Sequence, residues 1–394
     1  MLQSRNNCSG CSACAAICPQ KAIAVKEDKE GFDYPSIDEA LCIQCGLCSK
    51  VCPVNRTIKS NIETYTFVAQ NINDQIRAKS SAGGVVGYVF DLFFTQGWVA
   101  YGAAYDKNNM VRHERVSSIE ECLEKKIFAS KYVSSIIDNT FSEVKRDLNN
   151  GIGVVFVGLP CQVAGLKSFL GKDYDKLFTI DLTCYGVPSR KLFRKYLDNL
   201  ESKYNSRIVD VRFRDKVFGY SAPTMSVEFE NGKVKSQNSV IKTYLRLFFS
   251  NIIIRPSCYK CHYKGTERIS DITIGDCKNV HRFSQSLDDD LGTTVVYVHS
   301  IKAKELFASE GSIRIAEAPI NEIVATCGKK MMECATCPDI RDQFFSEIDV
   351  LPYDELVNKY CPAKKSEIMA NIVKSALLFL GLNKTSILRR LMRR

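Results

Sequence analysis

Beyond residue 64 the chain alternates short apolar runs with amphipathic stretches, the rhythm of strands and helices set one after another. Residues 65–69, 98–105, 153–157 and 177–182 read as strands, and the run at 153–157 is apolar before Gly158, as a buried strand would be. Apolar residues at helical spacing predict helices over 84–94, 141–149, 163–170, 190–204 and 239–253. From residue 208 the pattern turns towards β-structure, with strands expected at 208–214, 224–230, 271–274 and 293–299 and a turn at Asn231-Gly232. The expected core is α+β or mixed α/β, with a strand order that the sequence leaves open. Residues 367–394 have helical propensity, with 370–382 rich in apolar residues and Arg389, Arg390, Arg393 and Arg394 at the end. Lys374 interrupts that stretch, which is too short to span a bilayer. It reads as a terminal helix packed on its own domain, or as a basic amphipathic helix lying on a membrane surface or a partner.

The first 56 residues follow a different rule. The pattern C-x2-C-x2-C-x3-C-P occurs twice, at Cys8, Cys11, Cys14, Cys18 with Pro19 and at Cys42, Cys45, Cys48, Cys52 with Pro53. This is the ligand run of a bacterial-type ferredoxin with two [4Fe-4S] clusters, in which the fourth cysteine of each run binds the other cluster. Cys8, Cys11, Cys14 and Cys52 are thus expected around one cubane, and Cys42, Cys45, Cys48 and Cys18 around the other. Zinc would want two pairs separated by a loop rather than four evenly spaced thiolates. The polar stretch 55–64 reads as a linker. The expected organisation is a ferredoxin domain at 1–56, a core at 65–355 and a basic helical tail at 356–394.

Composition narrows the setting. Hydrophobic residues make up 45% of the 394 and charged residues 25%, an ordinary globular balance. Eighteen cysteines would fit a secreted protein, but the opening MLQSRNN has no apolar signal segment, so a reducing cytoplasm is expected. The net charge of +10 shrinks once each oxidised cubane with its thiolates contributes roughly −2. No basic patch interleaved with aromatics supports nucleic-acid binding.

Four further cysteines stand where predicted structure gives way to loops. Cys161 follows one predicted strand in Gly158-Leu159-Pro160-Cys161-Gln162, and Cys184 follows the next in Thr183-Cys184-Tyr185-Gly186. Both strand ends would face one crevice at the carboxyl edge of an α/β sheet. Cys258 and Cys261 add a C-x2-C pair. A four-thiolate site is one reading; zinc or unrelated free thiols are the others.

The ordered blocks from Lys79 to Glu347 resemble the family of coenzyme F420 hydrogenase/dehydrogenase β subunits, which are iron–sulfur flavoproteins. They are Lys79-Ser80-Ser81-Ala82-Gly83-Gly84, Ser130-Lys131-Tyr132-Val133, the stretches 158–166 and 181–189, and Ser257-Cys258-Tyr259-Lys260-Cys261 with Asp271-Ile272-Thr273-Ile274-Gly275-Asp276. The resemblance implies an FAD domain with its own [4Fe-4S] cluster, bound by Cys161, Cys184, Cys258 and Cys261. Ser80, Ser81, Gly83 and Gly84 precede a predicted helix, where backbone N–H groups and the helix dipole would meet a pyrophosphate. Lys131 would balance its charge. Two positions depart from common members, which carry a histidine where this chain has Tyr185 and an aromatic where it has Cys277.

Cys327, Cys334, Cys337 and Cys361 form a loose set, read either as a fourth metal site or as free thiols; Cys122 has no partner pattern. His113, His281 and His299 read as core or surface histidines, and His262, next to Cys261, is the one to examine as a ligand. The expected function is that of an oxidoreductase passing electrons from an external ferredoxin or similar low-potential donor through three clusters to FAD and on to a small soluble substrate. A sugar or sugar-nucleotide intermediate of polysaccharide biosynthesis is the expected class. The alternatives are F420-dependent oxidation or reduction, and a non-catalytic electron-transfer component of a larger complex.

Overall fold

The computed structural model describes residues 2–55, 62–236, 238–308 and 311–381. Most of the expected linker and the four terminal arginines therefore lie outside the described residues. The strands in chain order are β1 (Ile23–Glu27), β2 (Asp33–Ile37), β3 (Tyr65–Asn71), β4 (Val99–Tyr105), β5 (Val111–Val116), β6 (Val154–Gly158) and β7 (Leu177–Leu182). They continue as β8 (Ile208–Asp215), β9 (Thr224–Phe229), β10 (Val234–Ser236), β11 (Ile272–Asp276), β12 (Thr294–Val298) and β13 (Ile313–Glu317).

Eight strands form one sheet in the order β13-β3-β12-β11-β7-β6-β4-β5. Its centre, β11-β7-β6-β4, is parallel, and antiparallel strands extend it on both sides. The parallel strands β6 and β7 are almost wholly buried, which is why their sequence reads as unbroken apolar runs. Helices Val85–Phe94 and Pro160–Leu170 bury their apolar faces in separate core clusters built on this sheet. A three-stranded antiparallel sheet, β10-β9-β8, forms another core with helices Arg190–Tyr204 and Thr243–Phe249.

The mixed α/β expectation holds, with local differences. The helix expected over 239–253 is reduced to Thr243–Phe249, because Asn238 caps a preceding turn and Asn251 takes a left-handed φ of 69°. The helix expected from 163 begins at Pro160, whose missing N–H costs nothing in a first turn. Strand β5 is mostly polar and β13 is a five-residue strand with charged residues at two positions, and both lie on sheet edges. Their hydrophobic signal is correspondingly weak.

The cysteine-rich module is fastened to the core. Ala13 and Val51 pack into the same apolar cluster as Val163, Leu166 and Phe169. Arg255 donates from Nε to Cys8 O and from Nη2 to Asp33 O, both at 2.7 Å. The β1–β2 turn is held by a buried Arg341–Glu30 ion pair at 2.6 Å, and Arg190 pairs with Asp33.

Candidate electron-transfer site

The two cysteine runs fold alike. Left-handed backbone occurs at Gly10 and Ser12 in the first and at Gln44 and Gly46 in the second, bending each run around its own concavity. Each third cysteine then falls in a four-residue helix, Ala13–Ala16 or Leu47–Lys50. Cys8, Cys11, Cys14, Cys48 and Cys52 line one pocket. Burial pushes Cys11 up to about 11 and Cys14 to about 12, and the other thiols that raise Cys14 are Cys11, Cys8 and Cys52. These four are the set expected around one cubane. Of the other expected set, Cys18, Cys42 and Cys48 are partly buried and Cys45 is exposed, and Cys18 Sγ accepts from Ala22 N at 3.3 Å.

A second cavity is lined by Cys161, Cys184, Cys258 and Cys261. Cys161 sits in the first turn of helix Pro160–Leu170 rather than in a loop, and Cys184 follows β7. Because β6 and β7 are adjacent and parallel, both cysteines emerge at the same sheet edge. Cys258 lies in the 3-10 turn Pro256–Lys260, with Cys261 just beyond. Burial first, then Cys184, Cys261 and Cys258, raise Cys161 well above an ordinary thiol. Four buried thiols repel one another's charge and need a cationic centre to ionise together.

The surroundings suit such a centre. Arg268 is buried with no carboxylate in ion-pair distance among the described residues, and its field reaches Cys184 and Cys261. Its Nε lacks a hydrogen-bond partner, as does the hydroxyl of Tyr263, which is near Cys161, Cys11, Cys52 and Cys261. An unpaired buried cation and an orphaned phenol are costly unless an anionic group accepts from them. Among the described residues no three His, Cys, Asp or Glu side chains are grouped tightly enough for a single metal ion. A cubane spreads its thiolates around four irons and asks for a wider set.

The two cavities are joined through one helix. A Cβ at Gly165, one turn after Cys161, would lie 2.8 Å from Cys11 Cβ and 3.0 Å from its Sγ. Cys11 therefore fills the space that this glycine leaves open.

The residues expected at the phosphate end are drawn together: Ser130 N donates to Ser81 Oγ at 2.6 Å. Several are already engaged. Ser80 Oγ donates to Ile76 O at 2.8 Å, and Gly83 N donates to Thr294 Oγ1 at 2.9 Å. Lys131 is turned inward onto the carbonyls of Lys126 and Ala129, and burial lowers it to about 7. Gly84, at φ 80°, caps helix Val85–Phe94 and leaves the first-turn amides as the remaining donors of this block.

A row of cations that sequence reasoning missed runs from this loop to the second cavity. Lys216 Nζ donates to Arg77 O and Ala82 O, Arg214 pairs with Asp276, and Lys330 stands over the rings of Tyr185 and Phe249. Lys264 closes the row by donating to Cys184 O at 2.8 Å. Burial, then Arg77 and Arg214, lower Lys216 to about 8. These residues share no motif, and neither spacing nor composition could have singled them out. Of the two departures, Tyr185 belongs to this row, whereas Cys277 is wholly buried in a separate apolar cluster.

The remaining candidates disperse. Cys327 is beside Cys277, Cys334 approaches Cys261 O, Cys361 lies near Ser250 and Arg246, and Cys337 is exposed. Cys122 is buried core. His113 bonds to Ser135 and Val157 O, His299 to Thr64 and Thr273, and His281 is exposed. His262 lines the second cavity.

Residues 152–322 match the family model for the C terminus of the coenzyme F420 hydrogenase/dehydrogenase beta chain, and residues 7–56 match that of a 4Fe-4S dicluster domain. A subunit of the F(420)H(2) dehydrogenase of Methanosarcina mazei is 24% identical over 281 residues, covering 68% of this chain and 75% of that protein. A subunit of the NADH-quinone oxidoreductase of Geobacter metallireducens is 40% identical over 57 residues, 13% of this chain and 44% of that protein. Among solved structures, a chain of the F420-reducing [NiFe] hydrogenase complex from Methanosarcina barkeri aligns with a TM-score of 0.45 at 17% identity, covering 83% of this chain and 96% of that one.

Proposed function

Because the chain is an iron–sulfur protein of the family of coenzyme F420 hydrogenase/dehydrogenase beta subunits, with a 4Fe-4S dicluster domain ahead of its core, we propose that it is a flavin-dependent oxidoreductase fed by one-electron donors. In this reading Cys8, Cys11, Cys14 and Cys52 bind one cubane and Cys42, Cys45, Cys48 and Cys18 the next. Cys161, Cys184, Cys258 and Cys261 bind a third. The observation that carries the reading is the convergence of those last four thiols beside Arg268, one helical turn from the seat of Cys11.

FAD, when bound, supplies the conversion between single electrons and a two-electron transfer. The free first-turn amides after Gly84, with Ser81, would hold its pyrophosphate, and Lys216 and Arg214 would offset its charge. Lys330 and Lys264 extend the same positive lining towards the third thiolate set, and Tyr185 and Phe249 provide flat apolar surface beside it. The lining also suits a phosphorylated small molecule, the class that includes sugar nucleotides. The two curated relatives are subunits by name, which favours a partner protein as electron donor or acceptor.

Anaerobic purification followed by iron, sulfide and flavin analysis tests this function. Three cubanes require about twelve irons per chain, accompanied by one FAD. Saturation near eight irons would remove the third cluster. Twelve irons without flavin would favour the non-catalytic electron-transfer role.

A further inference from the structure

The helix Lys365–Phe379 is amphipathic in the inverse sense. Its polar residues face the protein: Glu367 pairs with Arg246 at 3.4 Å, buried Asn371 accepts from Lys242 Nζ at 3.4 Å, and the Lys374 ammonium lies over the Phe218 ring at 5.8 Å. Positions 367, 371 and 374 follow helical spacing and make one stripe. The outward side carries Ile368, Met369, Ile372, Val373 and Phe379, with exposures from 42% at Ile368 to 91% at Phe379. Leu380, just past the helix, is exposed as well.

A helix on a globular surface normally does the reverse. Single exposed apolar residues are commonplace, but a contiguous run of them on one element marks a surface that something else covers. The polar contacts fix the helix so that its apolar side cannot roll inward. Replacing them with apolar packing would have been the cheaper arrangement for a helix that served only its own domain.

Charge identifies the occupant. From Lys364 to the end of the chain there are four lysines and four arginines against the single acid Glu367, and Glu367 is tied to Arg246. A hydrophobic groove on another protein would account for the apolar stripe but gives no role to this density of cations. An anionic bilayer uses both, taking the apolar side chains into the acyl boundary and the cations at its headgroups. At 15 residues the helix is about 22 Å long, short of the ~30 Å hydrocarbon core. No helix among the described residues is long and apolar enough to cross a membrane. A helix of this length that met a bilayer would lie in the plane of its interface.

We infer that this chain docks on the surface of anionic membranes through the outward stripe of helix Lys365–Phe379, assisted by the basic residues that flank it. The inference does not depend on FAD or on a third cluster, and lipid binding can fail while the redox reading stands.

Flotation of the full-length, cluster-loaded protein with phosphatidylcholine vesicles, with and without phosphatidylglycerol, tests it. Vesicles containing phosphatidylglycerol should bind the protein, at least about tenfold more strongly than phosphatidylcholine alone, and added salt should weaken the binding. The double variant Ile372→Asp, Phe379→Asp should bind at least about tenfold less. Both positions are exposed, so its iron content and circular dichroism should match those of the unaltered chain. Equal binding to both vesicle types, or undiminished binding by the variant, would overturn the inference. So would a dimer in solution that the two substitutions dissociate, since a second copy of the chain would then be what covers the stripe.

Discussion

Arg268 shows how much one buried side chain can say about the charge around it. Its guanidinium is sealed in the protein with no carboxylate in ion-pair distance among the described residues, although buried Asp181 lies in its field, and it is close to two of the four thiols that would carry negative charge. Reduction adds an electron to a cluster that is already anionic, and a buried cation nearby favours that step. Replacing Arg268 with Met should lower the potential of the core cluster proposed above while preserving the iron content. A loss of about 1.4 kcal/mol of stabilisation corresponds to about 59 mV for one electron. Potentiometric titration followed by EPR would measure it, and an unchanged potential would sever Arg268 from the cluster. Two other residues set a pH response. Burial lowers His113 to about 4 and His299 to about 3, so both stay neutral in the fold and take up protons in the unfolded chain below about 6.5. Each then contributes stability that is present above pH 6.5 and is lost as the pH falls towards those values, on the order of 1.4 kcal/mol per pH unit. Between pH 7.5 and 5.5 the urea midpoint should fall further for the unaltered chain than for the variant His113→Gln, His299→Gln, which retains the opposing contribution of buried Asp181, raised to about 6; an equal change in both would mean that neither histidine is held neutral.

Among elements, helix Pro160–Leu170 combines two duties. It follows a parallel strand, presents Cys161 from its first turn and receives Cys11 against Gly165 one turn later. The variant Gly165→Val would put carbon atoms where Cys11 now lies, and overpacking of this sort costs about 1–3 kcal/mol. It should loosen the N-terminal module, with fewer irons retained and faster proteolysis between the module and the core; unchanged cleavage and iron content would show that the seat has slack. The nearness of Cys161 and Cys184 was legible, because 153–157 and 177–182 read as strands and each is followed closely by a cysteine, whereas the start of this helix was not, since helical spacing begins only at 163 and puts Cys161 in a loop. The eight-cysteine module was legible from its spacing alone. The glycine's role was not, since nothing local distinguishes it from a helix residue of poor propensity. Nor were Lys216, Arg214, Lys330 and Lys264, which meet only because distant elements fold over one loop. Charge on isolated surface-type residues carries no periodic signal for such a meeting.

For the whole molecule the question is which reductant would reach FAD bound as proposed above. The dicluster module is packed against the core at the helix that bears Cys161, giving one-electron donors a route that needs no deazaflavin. Tyr185 occupies the cationic row with its ring against Phe248 and Phe249. Reduced ferredoxin or a chemical mimic should therefore reduce the bound FAD, and F420 should neither reduce nor reoxidise it. Stopped-flow spectra of the flavin band with each reagent would decide the matter. Rapid stoichiometric reduction by reduced F420 would restore F420 chemistry to this chain.

The ion pair between Glu30 and Arg341 joins residues 311 positions apart, and its meaning is temporal as well as structural. At roughly 5–20 residues per second, a ribosome that has made Glu30 needs about 15–60 s more to reach its partner. For most of that interval the cysteine-rich segment has been made while this one of its fastenings is still missing. The contacts through Arg190 and Arg255 become available earlier, so the module is fastened to the core in steps as the chain is made, and the Arg341 pair is the last of them.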